Sequence, residues 1–88
     1  MSRHEIEAFD PLNKCIVGWD PPLQTFFAQV IDRKAEAAGD DDEKFVLWEG
    51  CSMREIQHVD DLGDILRHHA ELPPEIRLTL DEDRDENL

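Results

Sequence analysis

Basic residues and cysteine are scarce in this chain, and tyrosine is absent. Each shortage excludes something. Nine Lys and Arg stand against 22 Asp and Glu, a formal net charge of -13. Direct binding to DNA or RNA is therefore disfavoured, because that affinity comes from neutralising phosphates with basic side chains. Anionic membrane surfaces are disfavoured for the same reason. Two cysteines, Cys15 and Cys51, make no disulfide framework. No run approaches the ~18 apolar residues that a membrane span needs. Met1-Ser2-Arg3-His4-Glu5 lacks the apolar stretch of a signal peptide. The expectation is a protein with reduced thiols in a bacterial-type cytoplasm. The four glycines, Gly18, Gly39, Gly50 and Gly63, are scattered, so no phosphate-cradling loop is built. Cys15, Cys51, His58, His68 and His69 show no CxxC or HxxxH spacing, and no metal or cofactor is expected.

What remains is a charged globular chain. Its 88 residues suffice for one core, at a size where roughly 60–65% of the unfolded surface is buried. One domain over residues 1–84 is expected, with 85–88 as a disordered acidic tail. The acidity is lopsided: residues 1–39 carry four basic and six acidic side chains, residues 40–88 five and sixteen. The run Asp40-Asp41-Asp42-Glu43 attracts solvent and lacks the alternating ligands and turn glycine of a calcium loop.

The pattern predicts an α+β fold. Residues 14–20, with Ile16, Val17 and Trp19, read as a strand stopped at Asp20-Pro21-Pro22. Residues 24–32 read as a second strand, adjacent and antiparallel across the short Pro-Pro-Leu link. Residues 44–49 read as a third, stopped by Gly50. Ala35 to Ala38 suit a helical turn. Ser52 and Glu55 have the spacing of a capping box. Leu62, Ile65, Leu66 and Ala70 fall on one stripe, which predicts a helix over 60–70 with His68 and His69 at its C-terminal end. Over 74–84 two periods compete. Ile76, Leu78 and Leu80 alternate like a strand, while Pro74-Glu75 opens a helix and Ile76 with Leu80 is an i, i+4 pair; the helix is preferred. The expectation is thus a three-stranded antiparallel sheet (14–20, 24–32, 44–49) followed by one or two helices (60–70, 74–84).

An antiparallel sheet with one solvated face alternates apolar and polar residues. Here neither face is plainly polar. Phe26, Ala28 and Val30 oppose Phe27, Gln29 and Ile31; Cys15, Val17 and Trp19 oppose Ile16 and Gly18; Phe45 and Leu47 oppose Val46 and Trp48. A helical layer shields one face. The second is shielded by residues 1–13, by the last helix, or by a partner or second copy. Trp19, Phe27 and Trp48 would anchor such a partner, because large aromatics dominate interface energies. Asp20, Pro21, Pro22 and Leu23 form a stiff edge beside them.

Gly18-Trp19-Asp20-Pro21-Pro22-Leu23-Gln24-Thr25-Phe26-Phe27-Ala28-Gln29-Val30, with Leu47-Trp48-Glu49-Gly50 and Glu71-Leu72-Pro73-Pro74-Glu75, resembles a group of small acidic bacterial proteins of unknown function. The similarity covers residues 14–76. It implies a bacterial cytoplasmic origin and transfers no residue role.

Three functions follow, in order. The first is a non-enzymatic protein-interaction module, or a self-associating homodimer, using Trp19, Asp20, Pro21, Pro22, Leu23, Phe27 and Trp48. The second is an acidic decoy for a basic nucleic-acid-binding protein. The third is a small thiol enzyme using Cys51 near His58. No oriented third group can be named, so no catalytic residue is assigned.

Overall fold

A computed structural model describes residues 2–39 and 43–86. It is an α+β fold, a four-stranded antiparallel meander with helices. The elements are β1 (His4–Ile6), β2 (Asn13–Asp20), β3 (Thr25–Asp32), α1 (Arg33–Ala37), β4 (Phe45–Glu49), α2 (Val59–Leu66) and α3 (Pro74–Glu86). The strands lie in chain order, β1-β2-β3-β4.

The expected sheet gains one strand. β1 pairs His4 with Val17 and Ile6 with Cys15. Just before it, the Ser2 amide donates to the Trp19 carbonyl at 3.1 Å and the Ser2 Oγ accepts from the Trp19 amide at 3.0 Å. Residues 2–6 thus supply a sheet edge rather than a cover over the second face. β1 has only three residues, and it forms because β2 would otherwise leave backbone groups unpaired.

β2 and β3 pair over their full length, from Asn13 with Asp32 to Asp20 with Thr25. Their link holds because Gln24 takes φ 52°, a left-handed conformation rare outside glycine. The chain's own residues 54–57 clamp that turn. The Arg54 amide donates to the Leu23 carbonyl at 2.9 Å, and Gln57 Nε2 donates to the Gln24 carbonyl at 2.6 Å.

Asp32 caps α1, its carboxylate accepting from the Lys34 amide at 2.9 Å. β4 pairs with β3 through Val30–Leu47 and Gln29–Trp48, with a bulge between Val30 and Ile31. The bulge corrects the expected face assignment. Phe45, anticipated beside Leu47, instead packs with Ile16, Phe27 and Ile31.

The expected helix over 60–70 stops at Leu66. Past Leu66 the chain stays in turns, the His69 and Ala70 amides both donating to the Leu66 carbonyl, at 2.7 and 2.9 Å. Ala70 bridges Ala8, and the Phe9 amide donates to the His69 carbonyl at 2.8 Å, so residues 69–70 serve a strand-like contact. His68 and His69 therefore lie beyond the helix and do not cap it. Pro74–Glu86 is helical, with Leu80 buried, Ile76 half-buried and Leu78 exposed. An i, i+4 pair turned inward with the residue between turned outward is what a helix does to a sequence that also alternates. The helix takes in Asp85 and Glu86, expected in a disordered tail; Asn87 and Leu88 lie outside the described residues, as do Asp40, Asp41 and Asp42.

Both longer helices cover the same face. Leu62, Leu66 and Leu80 pack with Cys15, Val17, Trp19, Phe26, Ala28 and Val30 into one core. The Trp19 and Phe26 rings meet edge to face, centroids 4.9 Å apart. His4 Nε2 lies 2.8 Å from Asp83 Oδ2, tying α3 to β1. Burial pushes the Cys15 thiol up to about 12, so this cysteine serves as packing. No helix among the described residues is long and apolar enough to cross a membrane.

Candidate functional site

The second face carries a smaller apolar cluster of Ile16, Phe27 and Ile31 with Phe45 against it. One end is closed by α1, where Lys14 Nζ reaches Glu36 Oε1 at 2.7 Å. That hydrogen bond holds the Glu36 carboxyl below its usual range. The other end is open. There a cleft of about 310 Å³ is lined by Arg3, Asp20, Leu23, Phe27, Gln29, Trp48, Gly50 and Cys51.

Register explains why these side chains meet. Ile16, Gln29 and Trp48 form one cross-strand row, and Gly18 with Phe27 the next. Gly18 leaves the space that Phe27 uses. A Cβ built there would stand 2.7 Å from the Phe27 ring and 2.0 Å from the Ser2 carbonyl oxygen. Phe27 is consequently 4% exposed and forms the floor. Trp48 stands at the rim, 51% exposed, its ring 4.5 Å from that of Phe45 and tilted by 33°. Gln29 is 8% exposed and its side chain lines the cleft. An amide in the wall of a cleft has bonding capacity to offer a ligand.

Gly50 turns the chain away from β4 at φ +88°. Its amide donates to Glu55 Oε2 at 2.8 Å, and the Ser52 amide donates to Oε1 at 3.3 Å. Half of the expected capping box therefore forms, without a helix behind it. The bond from Gly50 draws the Glu55 carboxyl below its usual range.

The structure sorts the sequence candidates. Asp20, Leu23, Phe27 and Trp48 come together in the cleft. Trp19 does not. It is 1% exposed and points into the helix-covered core, one residue out of phase with the cleft row. Pro21 and Pro22 shape the turn without lining the cleft. Arg3, Gln29 and Gly50 were not anticipated. Gln29 had a legible signal, as the lone amide within an apolar strand; Arg3 had none, because only β1 carries it there.

Cys51 is exposed at the cleft wall. Local burial, then the charges of Glu55 and Glu49, push its thiol up, which opposes thiolate formation. His58 lines a different cleft with Val59, Asp60, Arg77, Asp81 and Arg84. The two residues proposed for thiol chemistry thus line different clefts. Among the described residues no three His, Cys, Asp or Glu side chains gather to hold a metal ion.

The chain matches no family model, no curated protein and no solved structure. Function must be read from the cleft itself.

Proposed function

We propose that this protein is a non-enzymatic interaction module that holds a partner protein at the cleft between Trp48, Phe27 and Leu23. The supporting observation is Trp48. A tryptophan half-exposed above an apolar floor, on the one sheet face without α2 or α3, is an interface anchor. The clamped turn at Leu23 and the pinned Gly50 make the cleft rigid before binding, which reduces the ordering cost of association. The raised Cys51 thiol, and the placing of Cys51 and His58 in different clefts, count against the thiol-enzyme reading.

The acidic-decoy reading comes second, because Asp60, Asp61 and Asp64 on α2 and Glu75 and Glu82 on α3 are exposed on helices. It places recognition on the opposite side of the molecule.

Selection of displayed peptides on the protein separates the two. Peptides enriched on the wild type are expected to be lost on Trp48→Ala, whose fold should be intact to within about 0.5 kcal/mol because the ring is at the surface. Peptides that bind wild type and Trp48→Ala alike, and are lost on Asp61→Lys, would overturn the cleft in favour of the helices.

A further inference from the structure

We infer that the partner segment held at the cleft is an extended, lysine- or arginine-rich strand that adds to the sheet along β4. This rests on the cleft reading above and names its ligand. The direction of the β3 backbone groups is the first support. The Asp32 amide donates to the Lys44 carbonyl at 2.7 Å, and the Phe26 amide donates to the Ile56 carbonyl at 2.9 Å. Even-numbered β3 residues thus face β4. Val30–Leu47 and Ala28–Glu49 are then the hydrogen-bonded pairs of the ladder, and Gln29–Trp48 is the pair between them. The Trp48 N–H and C=O consequently face away from β3, on the outer edge of the sheet. The next outward amide, that of Gly50, is already taken by Glu55. Beyond it residues 54–57 occupy the edge alongside the β2–β3 turn. The open edge is therefore short and centred on Trp48, and its side chain overlooks the cleft. Main-chain bonding at an edge with a side-chain pocket beside it is the physics of strand addition.

Charge selects the occupant. Glu49 ends β4, Glu55 follows, and Asp20 lines the cleft, on a chain of net charge -13 where Lys44 is the cation next to the strand. Arg3 is the single cation among the lining residues. A long basic side chain fits the cleft chemically. Its methylene stem lies on Trp48 and Phe27, and its head reaches the Gln29 amide oxygen and the Asp20 carboxylate. The Gln29 amide at the cleft wall gives that head a polar group to bond. A second copy fits less well, because two chains that each carry a net charge of -13 repel one another.

The test uses a synthetic peptide of alternating lysine and valine, titrated into the full chain and followed by amide NMR. The Trp48 amide is expected to shift and gain exchange protection. A peptide with the same side chains but N-methylated at alternate positions should bind about tenfold more weakly, since it forfeits main-chain hydrogen bonds to the edge. Equal binding of the methylated peptide would overturn strand addition, while leaving the cleft reading intact if Trp48→Ala still abolishes binding. Equal binding of a glutamate–valine peptide would overturn the charge argument. Trp48 amide protection that rises with protein concentration in the absence of peptide would assign the edge to a second copy, and overturn the inference.

Discussion

Trp19→Ala is expected to destabilise the protein by about 3–5 kcal/mol, the cost of removing a large buried aromatic. A domain of this kind has only about 5–15 kcal/mol in all, so the variant sits near the limit of folding. Trp19 is almost fully buried and meets Phe26 edge to face at the centre of the core. Phe26 is also flanked by the Arg84 guanidinium, 5.9 Å from the ring centroid, so loss of the indole loosens the packing of α3 as well. Trp19→Phe should be far milder. It keeps an aromatic ring against Phe26 and removes an indole N–H that is buried without a partner. Urea titration of the two variants decides the point. Trp19→Ala within about 1 kcal/mol of wild type would contradict the placement of Trp19 in the core.

Gly50→Ala is the second large effect. Gly50 sits at φ +88°, and a Cβ there would come within 2.2 Å of the Phe26 carbonyl oxygen and 2.6 Å of Phe27 Cα. Both neighbours are backbone of β3 and cannot rotate aside. A non-glycine residue in this conformation costs about 1–3 kcal/mol, and forced overpacking adds about 1–3 kcal/mol. The internal comparison is Gly39→Ala. Gly39 has φ +78° but nothing within 4 Å of the added carbon, so only the conformational part is expected. Denaturation midpoints of the pair should differ clearly, with Gly50→Ala lower; equal midpoints would mean that the close approach of Gly50 to β3 does not exist.

Much of this was legible from residue patterns. Ile16, Val17 and Trp19 before Asp20-Pro21-Pro22, and the apolar run from Phe26 to Ile31, marked β2 and β3, because β-branched and aromatic residues suit a pleated surface and proline ends it. Leu62 and Leu66 marked α2, and Ile76 with Leu80 marked α3. Long-range pairing stayed hidden. β1 is three unremarkable residues held by β2, and past the end of α2 Phe9 and Ala8 contact His69 and Ala70. The contacts of Ala8 and Phe9 join residues about sixty positions apart, and neither they nor the β1–β2 pairing leaves a local period. The site followed the same rule. The alternation within β3 put Phe27 on the face opposite Phe26, as expected. A one-residue bulge in the β3–β4 pairing moved Phe45 to the Phe27 side, and register turned Trp19 inward. Two tryptophans that looked equivalent in sequence thus have opposite duties, one in packing and one at the surface.

That division is open to direct measurement by acrylamide quenching of tryptophan fluorescence in dilute protein. Trp19→Phe leaves Trp48 as the reporter, and Trp48→Phe leaves Trp19. Strong quenching of the first variant and almost none of the second is the expected outcome. Resistance to quenching in both, at a concentration where the protein is monomeric, would mean that the chain roofs its own second face and that no cleft stands open for a partner.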